Sequence, residues 1–185
     1  MQQILNTLKA VITGATKGIG KAIALKLSAE GFDLALCSRN LDELNALKAE
    51  LERLNPSINI LIEAFDLKDK NGIKRFGESI IKSWENIDLL INNAGIFIPN
   101  KLIGEEDEIF ESQFQVNVAA AYYLSKEIIP SMINVKKGHI FNICSSASLA
   151  PKYNAGSYSV SKYALKGLSD NFREELKEHN IKVTS

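Results

Sequence analysis

Apolar residues fall along this chain in two alternating rhythms. Five short runs have the length and branched, apolar composition of buried strands: KAVIT (9–13), DLALCS (33–38), INILIEAF (58–65), IDLLIN (87–92) and HIFNICS (139–145). Between them, apolar positions recur every three or four residues, the period of a helix buried on one face. Residues 41–54 show it best. Leu41, Leu44, Leu47, Leu51 and Leu54 recur, Asp42, Glu43, Lys48, Glu50, Glu52 and Arg53 fall between them, and Pro56 stops the run. Such alternation predicts an α/β fold, with a doubly wound parallel sheet between two helical layers and right-handed crossovers. No repeat, linker or low-complexity tract interrupts it, so one domain over residues 1–185 is expected.

Composition narrows the partners. With 45% apolar and 24% charged residues the chain can bury a sizeable core. Lysine and arginine total 22, as do aspartate and glutamate, and no polybasic block is present. Nothing therefore argues for nucleic acid or a membrane surface, and a small molecule or another protein is the expected partner. Cys37 and Cys144 form no CxxC pair, so no metal site is expected, and two thiols in apolar runs fit a reducing cytosol. The start, MQQILNTLKAVITG, lacks a basic region followed by an uninterrupted apolar one. No stretch reaches the roughly 18 apolar residues of a spanning helix. Neither signal peptide nor membrane span is predicted, and the protein is read as cytoplasmic.

The first strand runs directly into TGATKGIG, residues 13–20, which opens the helical run KAIALKLSAEG. Without side chains, Gly14, Gly18 and Gly20 permit a tight turn, close approach of backbone to a pyrophosphate, and close packing of helix on strand. The helix N-terminus then offers free N–H groups to the anion. Thr16, Lys17 and Ile19 share this turn and are candidate cofactor contacts with the glycines.

Two tyrosine–lysine pairs have the same spacing, Tyr122 with Lys126 and Tyr158 with Lys162. Each pair lies on one helix face, separated by roughly 6 Å of rise. Hydride transfer to a carbonyl needs an acid for the forming alkoxide and a donor that holds the oxygen. A tyrosine can serve if a nearby cation stabilises its phenolate. A hydroxyl from another element distinguishes the pairs, because Ser145 closes a predicted strand thirteen residues before Tyr158, whereas Ile109 stands thirteen before Tyr122. Tyr122 lies in FQVNVAAAYYLSKEIIPSMI, which reads as a buried helix, so Tyr122 is expected to pack and Lys126 to be a surface cation. Tyr158 and Lys162 are the candidate site. His139 and His179 have no serine and carboxylate in register and read as surface residues, and Trp84 as a core residue.

These motifs together resemble the short-chain dehydrogenase/reductase family over residues 9–185: TGxxxGxG in TGATKGIG, then Asn92-Asn93-Ala94-Gly95 after the fourth strand, then Ser145 and Tyr158-x-x-x-Lys162. The resemblance implies a Rossmann-like three-layer fold with a nicotinamide cofactor. It implies Tyr158 as proton donor, Lys162 as the residue that binds the nicotinamide ribose and lowers the tyrosine pKa, and Ser145 as the group that polarises substrate oxygen. It further implies that Asn117, in QVNVAA, anchors a water of a proton relay. Asp66 and Leu67 would lie near the adenine, and Asn93, Ala94 and Gly95 against the cofactor.

Where NAD-using relatives carry an acid after the second strand, this chain has Ser38, followed by Arg39. The guanidinium fork suits a 2′-phosphate, and Lys17 adds a second cation. NADP(H) is the expected cofactor, with no carboxylate opposing its phosphate. A small ketone or aldehyde is the expected substrate, in an apolar cleft formed by Phe97, Ile98, Ala147, Leu149, Tyr153 and Ala155. Two alternatives stand beside this reading: a 3-oxoacyl carrier-protein reductase, for which no basic patch is evident, and a non-catalytic NADP-binding sensor or scaffold. A homodimer or homotetramer is expected, with Phe110, Phe114, Val118, Tyr122, Tyr163 and Phe172 available to an interface. Against the family pattern the chain ends in the sixth strand, at HNIKVTS. It is therefore expected to lack the last strand or strands, the Pro-Gly loop at the nicotinamide and the segment that covers substrate, leaving a strand edge unpaired.

Overall fold

The computed structural model describes residues 7–185; the reading of residues 1–6 as part of a chain without a leader lies outside the described residues. Six strands, β1 (Lys9–Thr13), β2 (Asp33–Ser38), β3 (Ile60–Ala64), β4 (Leu89–Asn92), β5 (Gly138–Asn142) and β6 (Ile181–Thr184), form one sheet in the order β3-β2-β1-β4-β5-β6. Every pairing is parallel. The helices are α1 (Gly18–Ala29), α2 (Leu41–Leu54), α3 (Lys70–Ser83), α4 (Asp107–Phe114), α5 (Ala120–Val135) and α6 (Gly156–Leu176). The doubly wound, Rossmann-like α/β architecture is the one the alternating pattern predicts. The strand order reverses beside β1, so the carboxyl ends of β1 and β4 open a crevice there.

Successive side chains leave a strand on opposite faces, and the core divides accordingly. Ala10 and Ile12 of β1 join Leu34 and Leu36 of β2 under α1 and α2. Val11, Ala35 and Cys37 face the other layer, where Phe76 of α3, Leu124 and Ile128 of α5 and Phe172 of α6 meet them. In α2 the three inner leucines, Leu44, Leu47 and Leu51, are buried, whereas Leu41 and Leu54 at the ends of the predicted stripe are half exposed. Trp84 is buried, as expected.

The boundaries of β3, β4 and β5 differ from the sequence reading. Ile58 and Ile87 are buried but precede β3 and β4, which begin at Ile60 and Leu89. The fifth run ends as a strand at Asn142, because its neighbour β4 ends at Asn92, its register partner. Ser145 is thus three residues beyond the strand. The sixth strand is formed, with Ile181 and Val183 buried and Lys182 and Thr184 exposed, and it pairs with β5 at the sheet edge. The helix around Asn117 is interrupted by a π turn, Gln115–Ala119, which links α4 to α5 and turns Val116 and Asn117 inward. No helix of the described residues is long and apolar enough to cross a membrane.

A buried polar ladder ties the sheet to the helices below the crevice. Asn92 Nδ2 donates to Asn142 Oδ1 at 2.8 Å and to Ser125 Oγ at 3.2 Å, and Asn142 Nδ2 donates to Ser169 Oγ at 2.8 Å. These buried bonds fix β4, β5, α5 and α6 relative to one another, although Asn92 Oδ1 itself is buried without a hydrogen-bond partner.

Candidate active site

The glycine turn forms the floor of the crevice. Gly14 has φ +65° and Gly18 φ +54°, backbone that a side chain disfavours. A Cβ on Gly20 would stand 2.3 Å from the Gly14 carbonyl oxygen and 2.5 Å from Asn93 Nδ2, so backbone would have to shift to admit one. The small residues Gly20, Ala24 and Ser28 form the buried line of α1, which lets the helix lie close on β1. Lys17 precedes α1 with extended backbone and does not cap it. The first N–H groups of the helix therefore remain free for an anion.

The loop after β4 is bolted to this turn. Thr13 Oγ1 accepts from the N–H groups of Asn93 and Ala94 at 3.1 and 3.0 Å, and Asn93 Nδ2 donates to the carbonyls of Thr13 and Gly14 at 2.9 and 3.1 Å. The amide of Asn93 is thereby committed to the protein's own backbone. Its place in the crevice is architectural first.

A hollow of about 1280 Å³ runs from here to the start of α2, with Thr16, Lys17, Gly18, Ser38, Arg39 and Asp66 on its walls and Leu67 beside them. Its length and its uncapped helix end fit an extended dinucleotide. One expectation fails at its far end. Glu43 also lines the hollow, and its Oε1 lies 2.7 Å from Lys17 Nζ. A carboxylate does stand in the corner where none was expected, because α2 begins at Leu41 and its first turn brings residue 43 back toward the glycine turn.

A second hollow of about 260 Å³ shares Lys17, Asn93, Gly95, Ile96 and Phe97 with the first and adds Ile19, Cys144, Tyr158 and Lys162. Tyr158 and Lys162 occupy one face of α6, with Lys162 Nζ 5.9 Å from the tyrosine ring centre. The Phe97 ring packs against Tyr158 at 4.7 Å between centroids. Lys162 is only 4% exposed, and Nζ donates to the Ile143 carbonyl at 2.7 Å. Burial pushes its pKa below the ordinary lysine value, with Cys144 acting weakly the other way.

Asn117 reaches the same place from the π turn. Its Oδ1 accepts from Ile96 N–H at 2.8 Å and its Nδ2 donates to the Ile96 carbonyl and to Ser161 Oγ, both at 3.0 Å. A Cβ on Gly95 would sit 3.2 Å from Asn117 Oδ1 and 3.4 Å from Lys162 Nζ, so the bare backbone there is what lets the two side chains converge. Ser145 does not line either hollow. It begins the turn Ser146–Ser148, where its Oγ accepts from Ala147 N–H at 3.1 Å, which leaves its own proton free to donate.

Several expected wall residues are elsewhere. Ala147 and Ala155 are buried, and Leu149 and Tyr153 are open to solvent at 73% and 81%. Tyr122 is exposed rather than packed, with Lys126 5.4 Å from its ring centre on the outer surface. Phe172 belongs to the core, at 8% exposure, and is withdrawn from any interface. His139 is half buried near the start of β5, stacked on Phe141 and 2.8 Å from Thr184 Oγ1, and lines neither hollow.

Three contacts were not foreseen. Gln113 Nε2 donates to Ser157 Oγ at 2.6 Å, Ser157 Oγ donates to Glu105 Oε1 at 2.8 Å, and Gln113 Oε1 accepts from Ile98 N–H at 3.1 Å. This chain links the loop after β4 to the residue before Tyr158. The only sequence signal was the run of serines at 157, 159 and 161, weak helix formers that are all buried here.

The family model described as short chain dehydrogenase matches residues 8–185. A fatty acyl-CoA reductase of Acinetobacter baylyi is 35% identical over 178 residues, which cover 95% of this chain and 60% of that protein's length. The crystal structure of a metagenomic short-chain oxidoreductase in complex with NADP superposes with a TM-score of 0.89 at 33% identity, covering 96% of this chain and 80% of that one. L-Sorbose reductase from Gluconobacter frateurii, complexed with NADPH and L-sorbose, gives 0.91 at 30% identity, covering 96% and 67%.

The buried ammonium has a measurable consequence. Because its folded pKa is depressed, Lys162 loses its proton at lower pH in the folded chain than in the unfolded one, so its burial opposes folding most at neutral pH and less as pH rises toward the ordinary lysine value. Lys162→Met is expected to unfold at higher urea than the parent at pH 7, with the gap shrinking as pH is raised to about 10. A variant less stable at pH 7 would contradict this.

Proposed function

Because the chain belongs to the short chain dehydrogenase family, we propose that this oxidoreductase uses NADP(H) to reduce a small ketone or aldehyde to an alcohol. The observation that carries the reading is the convergence of Tyr158 and Lys162 on the hollow walled by Lys17 and Ile19 of the glycine turn. That hollow continues into the longer one that reaches Arg39. The NADP and NADPH complexes of the two similar structures support the cofactor. Lys17 and Arg39 favour its phosphorylated form at the adenosine end.

The residues divide the work by position. Gly14, Gly18 and Gly20 would admit the pyrophosphate to the N-terminus of α1. Thr16, Lys17, Ser38 and Arg39 would hold the adenosine ribose and its 2′-phosphate, Asp66 and Leu67 would flank the adenine, and Ala94 and Gly95 would border the nicotinamide half. When bound, the nicotinamide supplies a hydride to the carbonyl carbon. Tyr158 gives its phenolic proton to the substrate oxygen as charge builds there, and Ser145, outside the hollow but next to Cys144 on its wall, would turn its free hydroxyl proton to the same oxygen. Lys162, desolvated and fixed to the Ile143 carbonyl, stabilises the phenolate left behind. Asn117 holds the loop at Ile96 and so sets the distance between Gly95 and Lys162.

Phe97, beside Tyr158, and Ile98 favour an apolar substituent on the carbonyl. Free Cys37 and Cys144 agree with a reducing, cytosolic setting. Exposed Phe110, Tyr122, Val160 and Tyr163 on α4, α5 and α6 agree with assembly into a dimer or tetramer through these helices. Light scattering is expected to give the mass of two or four chains, and a mass of one would remove the assembly.

Absorbance at the NADPH band during incubation with a panel of ketones and aldehydes tests the reaction. Turnover is expected, with Tyr158→Phe lowering kcat by about 100-fold or more and leaving NADPH affinity nearly unchanged. Binding without turnover would identify a sensor instead, and an undiminished Tyr158→Phe would remove the tyrosine from the chemistry.

A further inference from the structure

The ion pair between Lys17 and Glu43 joins the turn after β1 to the first turn of α2, on the wall of the larger hollow. Glu43 is the third residue of α2, and its N–H is capped by Asn40 Oδ1 at 3.0 Å. In a reciprocal capping box its carboxylate would return to the N–H of the cap residue. Here Ser38 Oγ takes that N–H at 3.3 Å, and the carboxylate crosses to Lys17 instead. The helix end is complete without it. Lys17 foremost, then the Thr16 hydroxyl, hold the Glu43 acid below the usual carboxylate value, and Arg39 acts in the same direction. The group is therefore ionised at neutral pH.

We propose that Glu43 is a specificity-determining residue of the adenosine end of the site, which occupies the Lys17 ammonium and must release it before a 2′-phosphate can bind there. The proposal rests on the NADP(H) reading above. A phosphate monoester carries between one and two negative charges at neutral pH, and it repels a carboxylate that shares the same ammonium. NADPH must displace Glu43. NADH need not, and its 2′-hydroxyl can donate to the carboxylate. Glu43 thus narrows the preference that Lys17 and Arg39 create. Lys17 is 78% exposed, so solvent and salt screen the pair and it separates readily; the effect is a graded shift in selectivity.

Fluorescence titration of NADPH and of NADH into the full chain, its Glu43→Gln variant and its Glu43→Ala variant tests this. Glutamine keeps the length of the side chain and the backbone cap, and a thermal melt checks that both variants fold. Glu43→Gln is expected to lower the Kd for NADPH by about 3- to 10-fold, to leave NADH unchanged or weaker, and to lose much of this difference in high salt. A parent that binds NADPH well and variants with an unchanged or smaller NADPH-to-NADH preference would overturn the role of Glu43 while leaving the NADP(H) reading intact. A parent that binds neither nucleotide would overturn both.

Discussion

Two backbone segments approach so closely at the centre of the sheet that only glycine fits between them, and the crevice is built around that contact. Gly20 lies against the Gly14 carbonyl, and Asn93 closes the gap by donating to Thr13 and Gly14. A methyl group at position 20 would push α1 off β1 and pull the loop after β4 away from the turn. The N-terminal end of α1 and the wall that carries Gly95 and Ile96 are therefore one mechanical unit. The close packing that holds it also keeps side chains away from the turn itself, at positions 14, 18 and 20.

The same unit distributes positive charge in two environments. Lys17 is a solvated cation on the rim, paired with Glu43 and free to exchange partners. Lys162 is enclosed, hydrogen-bonded to a single carbonyl and destabilised as an ion by its surroundings. A cation held in a dry pocket acts on nearby charge far more strongly than one in water. Rim and pocket thus suit different tasks: the first can select a phosphate, and the second can act on a phenol. The buried ladder from Asn92 through Asn142 to Ser169 fixes α6 to the sheet, which keeps both residues of its Tyr158–Lys162 face at constant depth.

Much of this was legible in the sequence because it depends on local pattern. The positions of the five strands, the inner leucines of α2 and the three glycines after β1 each have a local physical cause and are found in the structure, whereas the strand ends and the outer leucines Leu41 and Leu54 are not as the pattern alone predicts. Of the two tyrosines at equal spacing from a lysine, Tyr158 lines the hollow and Tyr122 lies on the outer surface beside Lys126. What the sequence concealed was set by tertiary neighbours. The end of β5 depends on where β4 stops, so Ser145 lies beyond the strand. The depth of Phe172 depends on the packing of α6 against the sheet, and the π turn at Asn117 leaves no mark in apolar periodicity. Glu43 was read as one more polar position on an exposed helix face, and its crossing to Lys17 depends on how Ser38 satisfies the Asn40 N–H.

The central claim is that the two hollows form one site, with a dinucleotide extended from Arg39 to Tyr158. A crystal structure of the chain soaked with NADPH tests it most directly. The account predicts the 2′-phosphate beside Lys17 and Arg39, the pyrophosphate at the N-terminus of α1, and the nicotinamide ring against Tyr158 and Lys162 with the Ser145 hydroxyl facing the same space. A nicotinamide bound elsewhere, or a Tyr158 hydroxyl directed away from it, would contradict the account.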